Sequence, residues 1–515
     1  MLGESYADTC ETWNDSFFQY ADLRIGQIEI NTGDVFDPKL LSESTALHHL
    51  ANKLHIKTRP SVVREQLLFA RGDAFDLQKL KESQRLIQSK RYIKEAHIEP
   101  ASVCGKRVNI RVTTKDMWTL TPGVSFGRSG GKNRSGVEIQ EHNLFGLGKS
   151  LAISYKQGTL RDSTLFSYSD PQLWGSRKQF QARFEDNSDG KGYMLNLELP
   201  FYAFDSKRSW GIKTSSLEQD VSLYDGGDVM NKFAEKKQDH SVFYGWSKGL
   251  QDDHTMRFRV GWQLSQNDYH LGQGTKSLTE SYPWFELAYL QDKYVHRVNY
   301  RTMDLQENVS LGLNASAKIG LLTDSFGSDD NQLKLSTKLA KGYQLGAKNL
   351  GFVSLSTDSY LGNGLHEGST LGLQADWYSF NQTGNNYYLS GRFKQQTNLL
   401  PDEQVLLGGA TGLRGYPEGF QAGDKSFLFT AEKRYHFNWY PLHLAKFGAV
   451  AFADVGTAWG AGSALKTLAD VGLGLRIIPT RSSSAKAIHL DLAFPINERD
   501  KAGDYQFLIE TKASF

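Results

Sequence analysis

For almost four hundred residues, from Trp118 to Phe515, apolar side chains recur at every second position and helical spacing nearly disappears. "LAISYKQG" sets Leu151, Ile153 and Tyr155 on one face and Ala152, Ser154 and Lys156 on the other. "YMLNLELPFY", "MRFRVGWQLS", "LKLSTKLA", "YYLSGRFKQ" and "IHLDLAF" repeat the alternation between turn-forming segments. A period of two belongs to strands whose faces meet different surroundings. A soluble sandwich also alternates, but three features favour a barrel that spans a membrane. The region is long enough for sixteen strands at roughly 25 residues per strand and connection. Aromatic residues lie near strand ends, where interfacial girdles form. The chain also stops on a strand, and closure matters because lipid tolerates no exposed backbone edge. Mean hydropathy is −0.47, and no apolar run reaches the about 18 residues of a membrane helix. Neither observation counts against a barrel, which hides its apolar side chains at alternate positions.

Ahead of this region, residues 24–117 mix their periods. "LRIGQIEI" reads as a strand, and "TRPSVVREQLLF" as a helix carrying Val62, Val63, Leu67 and Leu68. "GDAFDLQKLKESQRLIQSK" reads as a second helix, with Asp76 as N-cap and Leu77, Leu80, Leu86 and Ile87 as its buried stripe. "YIKEAHIEP" and "KRVNIRVTTKD" add two strands joined at Ala101–Lys106, giving the order β-α-α-β-β. The stretch Asp37–Lys57 is an insertion with a short helix around Leu40–Leu54. Residues 1–23 form an acidic tail with five carboxylates and no Lys or Arg, whereas residues 24–118 carry 17 basic and 11 acidic side chains. The tail is either solvated or folded back on the basic unit. It opens with no basic n-region or apolar h-region, so export would place a signal peptide outside this numbering. The two cysteines, Cys10 and Cys104, are either unrelated thiols or one disulfide tying the tail to a nearby turn, which an oxidising compartment permits.

Reading backwards from the end gives a ladder of strands at 504–515, 486–495, 470–479, 443–457 and 425–437. The long loop 397–424 precedes them and holds "GGATGLRGYPEGFQAGD", in which Arg414 stands between Leu413 and the pair Gly415–Tyr416. An arginine so placed is fixed where carboxylates receive its guanidinium fork. Glu432 in "TAEKRYHF" and Asp454 in "FADVG" (Phe452 to Gly456) alternate with neighbours expected to face lipid, so both are expected to point inward. Gly412 and Gly415 are expected to let the loop turn and approach the wall.

With these residues the chain resembles the BamA/TamA superfamily of outer-membrane assembly and secretion barrels, which includes the two-partner secretion transporters. In that superfamily an extracellular loop folds back into the lumen carrying an Arg-Gly-aromatic motif, matched here by Leu413, Arg414, Gly415 and Tyr416. A later strand motif matches Phe452, Asp454 and Gly456, and the acidic position between them is Glu432. The resemblance implies a POTRA domain at residues 24–117 and a transmembrane antiparallel 16-stranded barrel at 118–515. "EHNLFGLGKSL" and "YSDPQLWG" look like its early strands and turns. The closing strand, with Tyr505, Phe507, Ile509 and Phe515 on one face, resembles an outer-membrane targeting signal; Leu508 is the exception on its polar face. The implied function is to insert or translocate polypeptides, with the POTRA domain in the periplasm. The implied partners are outer-membrane lipids, polypeptide clients and periplasmic or inner-membrane accessory proteins. A transporter for one dedicated substrate, and a passive pore or lipid-handling barrel without a protein client, are the alternatives.

No G-x-S-x-G, H-E-x-x-H, Walker A or cysteine cluster occurs, so no enzymatic activity, metal or cofactor is expected. His48, His49 and His55 read as a polar helix face rather than metal ligands. With a net charge of +2, no nucleic-acid partner is expected.

Overall fold

The computed structural model describes residues 10–14, 17, 22–36, 49, 52–272, 274–303, 306–362, 368–381, 385–397, 400–460, 465–483 and 486–512. Most of the helix expected around Leu40–Leu54, His48 and the terminal Phe515 lie outside them.

The first unit is a four-stranded sheet in the order β1–β3–β4–β2, with β1 Glu11–Thr12, β2 Arg24–Gly33, β3 Ile93–Cys104 and β4 Arg107–Asp116. β2 runs parallel to β4, and the other pairs are antiparallel. Helices α1 (Pro60–Arg64) and α2 (Leu77–Gln88) pack on it. Asp76 caps α2 by accepting from the backbone N–H groups of Gln78 and Lys79. The packed core includes Ile25, Val63, Leu80, Ile87, Val108 and Ile110. α1 is shorter than its apolar spacing predicts. The Leu68 N–H is taken by the Ser83 hydroxyl at 2.9 Å, so the chain turns toward α2 while Leu67 stays buried. A disulfide joins Cys10 to Cys104, next to the register pair Glu11–Val103. His55 meets Asp116 at 3.0 Å, and the same carboxylate oxygen accepts from the Thr58 N–H and hydroxyl.

The second unit is a closed antiparallel barrel of twenty strands, from Leu120–Ser129 to Gln506–Lys512. The expectation of sixteen strands is wrong because it allowed too much chain for each connection. Hairpins reverse across Gly130–Gly131, Gly226–Gly227 and Asp252–Asp253 with two residues between paired positions. Positive φ at both glycines of the first two turns matches the twist that such hairpins need. A strand and its connection therefore use about 20 residues, not the 25 assumed. The last five strands lie at Lys425–His436, Ala445–Trp459, Leu468–Pro479, Ala487–Pro495 and Gln506–Lys512.

Along these strands the outward positions are apolar and exposed, among them Phe427, Phe429, Val471, Leu473 and Phe507. The inward positions are buried and mixed. Leu508, the exception on its strand's polar face, is explained by an inserted segment. Between strands Gly274–Gln291 and Asn314–Leu322 a short hairpin, Tyr294–Val298 with Gln306–Ser310, brings Met303 against Val450, Phe452, Ile478 and Leu508. Leu508 thus buries apolar surface on the interior side.

The α/β unit sits against the turns at one mouth of the barrel. Arg59 N–H donates to the Gly146 carbonyl at 3.0 Å, Gln172 Nε2 to Glu65 at 3.0 Å, Phe204 N–H to Glu82 at 2.6 Å and Arg85 to Asp292 at 2.9 Å. The turns in "EHNLFGLGKSL" and "YSDPQLWG" supply two of these contacts.

Candidate functional site

The loop between strands Asn386–Thr397 and Lys425–His436 is braced on itself before it touches the wall. Its arms pair as Val405–Leu407 with Gln421–Gly423. At its tip the backbone reverses through Gly412 (φ +113°) and Leu413 (φ +60°). The first is a region glycine enters freely; the second is costly for a leucine. What holds Leu413 there is packing: it and Tyr416 are fully buried among Leu407, Phe420, Leu428, Ala458 and Leu468. Gly415 is needed for space rather than for φ. A Cβ there would lie 2.7 Å from Asp470 Cβ and 3.0 Å from the Pro495 nitrogen.

This tip delivers Arg414 to the inner faces of the last strands. Its Nε and Nη2 donate to the two oxygens of Asp454 at 2.7 and 3.1 Å. Its Nη1 donates to Glu432 at 2.9 Å, and Asp491 lies 3.8 Å away. The guanidinium also stacks on Phe452, 3.4 Å from the ring centroid. The bidentate fork and the aromatic face fix both the position and the plane of the charge. The structure thus brings Arg414, Asp454, Glu432 and Phe452 together. Gly456 lies on the same strand beneath Leu428 and Leu407. Tyr416 donates its hydroxyl to Asn497 Oδ1 at 2.6 Å. Tyr505 and Phe507 are exposed on the outer face, and Ile509 sits at the seam; none of the three approaches Arg414.

Further residues complete the network. Arg434 donates to the other oxygen of Glu432 at 2.8 Å. Arg476 pairs with Asp491 at 2.5 Å. Asp470 accepts the Gly415 N–H at 3.0 Å and stands directly opposite Asp454 in register. Two facing carboxylates repel; here the loop separates their roles, the guanidinium serving one and a backbone N–H the other. Arg434, Arg476, Asp470, Asp491 and Asn497 escaped the sequence reading. One signal was present for Asp470: "ADVG" occurs twice, at 453–456 and at 469–472.

A closed barrel with an apolar outer face, a charged interior and an α/β unit at one mouth defines a membrane-spanning β-barrel protein. Residues 143–514 match the Omp85 superfamily domain, and the chain belongs to that superfamily. It is accordingly an outer-membrane barrel of the class that inserts or secretes polypeptides, a class of transport and assembly factors rather than enzymes. Among solved structures, CdiB from Escherichia coli matches with 12% identity over 98% of this chain and 79% of that chain, at a TM-score of 0.50. CdiB from Acinetobacter baumannii matches with 13% identity over 97% of this chain and 76% of that chain, at a TM-score of 0.48. BamA from Haemophilus ducreyi lacking POTRA domains 1–3 matches with 14% identity over 95% of this chain and 84% of that chain, at a TM-score of 0.40. The first of these is a likeness of fold. No curated protein matches the chain.

Proposed function

We propose that the protein passes polypeptides into or across the outer membrane by opening its barrel sideways between the first and last strands. The observation that carries this reading is the seam. Among the described residues, Ile509 and Arg128 are the one register pair between Gln506–Lys512 and Leu120–Ser129. The last strand pairs with its other neighbour at seven positions and the first strand with its own at ten. Unpaired strand edges recruit an extended chain by backbone hydrogen bonding, so an opened seam can template a client strand. In this reading the Arg414 loop is folded into the lumen and anchored on Asp454 and Glu432, bracing the wall beside the seam. The α/β unit acts as a POTRA domain in the periplasm. Its β2 pairs with β4 on one side and is covered on the other only at its start, where Ile25 bonds Gly72 and Asp73; the rest of that edge is offered to clients, and the unit's surface meets accessory proteins.

The test is a seam lock, Arg128→Cys with Ile509→Cys, built with Cys10→Ser and Cys104→Ser so that reductant acts on the new bond alone. Reconstituted in liposomes, the oxidised lock loses client insertion or release and regains it on reduction. Full activity in the oxidised state would sink lateral opening.

A further inference from the structure

The outer face of the barrel should be a featureless apolar band, yet one stretch is hollowed. Three rows of outward side chains cross adjacent strands there. Ser379, Tyr387 and Lys433 form the first, Trp377, Leu389 and Ala431 the second, and Ala375, Gly391 and Phe429 the third. Small residues in the third row leave a groove of about 460 Å³, walled by Val353, Trp377, Leu389 and Phe429 and floored by Ala375 and Gly391. A Cβ built on Gly391 meets nothing within 4 Å, so the hollow is open to the outside. Asp376 also borders it, but accepts from Tyr388 and Gln374.

One register row beyond the groove's lining, toward the mouth that carries the α/β unit, stands Lys433, on an outward position. Its Nζ lies 3.5 Å from the centroid of Tyr387 and 5.5 Å from that of Tyr435. Among the described residues it has no carboxylate partner. A cation facing lipid without a counter-ion is costly unless it lies at the headgroup level and finds an anion there. Lys433 is three residues from its strand's end at His436, and its neighbouring tyrosines mark that level. From the first row to the third is four residues, about 13 Å along the strand, which at a tilt of about 40° descends about 10 Å into one leaflet's about 15 Å of hydrocarbon.

We propose that this groove is a binding site for an anionic glycerophospholipid of the leaflet on the side of the α/β unit. The phosphate pairs with Lys433 between the two tyrosines, and one acyl chain runs past Trp377 and Leu389 onto Ala375 and Gly391. The site lies five strands from the seam and uses none of the Arg414 network.

The test is a titration of the folded, full-length protein in detergent with phosphatidylglycerol or phosphatidylcholine, read by native mass spectrometry. Heat-modifiable gel mobility verifies folding of each variant. The wild type is expected to take its first phosphatidylglycerol about tenfold more tightly than phosphatidylcholine, the size of one charge-assisted contact. Lys433→Gln abolishes that preference and Lys433→Arg retains it. Gly391→Leu, which fills the open groove, weakens both lipids. A preference that survives Lys433→Gln, equal binding of the two lipids by the wild type, or an unaltered affinity in Gly391→Leu would each overturn the proposal.

Discussion

Arg414 is the residue on which the loop depends. Its side chain is only 9% exposed; three of its N–H groups bond Asp454 and Glu432, and Asp491 lies 3.8 Å away. Removing it strands Asp454, whereas Glu432 and Asp491 keep Arg434 and Arg476 as partners. Breaking a buried pair from one side costs about 3–5 kcal/mol, most of it the desolvation of the abandoned charge. Arg414→Ala is therefore expected to free the loop tip, seen as protease cleavage near residues 408–424, while the barrel still migrates as folded. Arg414→Lys keeps the charge but not the fork and is expected to fall between. Combining Arg414→Ala with Asp454→Ala is expected to show a coupling of about 2 kcal/mol in urea unfolding; additive losses would mean that the two residues act separately.

At the scale of elements, a two-residue strand cannot hold its own place. β1 makes two register pairs with β3, and its position relies on the bond from Cys10 to Cys104, 94 residues apart in sequence. Opening such a loop costs about 2–5 kcal/mol. Cys10→Ser with Cys104→Ser is expected to lower the melting temperature of the α/β unit and to release β1, monitored by hydrogen exchange at residues 101–104; unchanged protection there would show that the tail is held by packing. The last five strands could be read from the chain end to within a few residues, because each alternates cleanly and stops at turn residues. α1 could not, since its end is set by Ser83, a side chain from another helix. The number of strands could not either: it depends on how tightly hairpins turn. Within the candidate site, Arg414, Asp454 and Glu432 stand out in the sequence by motif order. Asp470, Asp491 and Arg476 join them through strand register, which follows from pairing geometry and leaves little trace in any single strand.

At the scale of the whole molecule, the α/β unit meets the barrel through polar contacts, and one of them ties the docking to pH. Glu82 of α2 is buried where it accepts the Phe204 N–H at 2.6 Å from a barrel turn. Burial pushes its carboxyl above the ordinary value of 4.5; the Phe204 N–H and Arg85 pull the other way without cancelling it. The docked state therefore holds a proton over a range in which the undocked glutamate has lost it. An acid raised in the docked state favours docking most below about 4.5, and that contribution declines as pH rises through the raised value. Glu82→Gln keeps an oxygen for Phe204 and removes the titration. Hydrogen exchange across residues 77–88 between pH 4 and pH 8, corrected for the intrinsic rate, is expected to show protection that falls with pH in the wild type and falls less steeply in Glu82→Gln. Arg85, paired with Asp292 at 2.9 Å, keeps the helix seated in both, so a loss of protection at every pH would point to misfolding rather than titration. Parallel profiles would mean that Glu82 does not couple docking to protons, and that the α/β unit and the barrel behave as one body across this range.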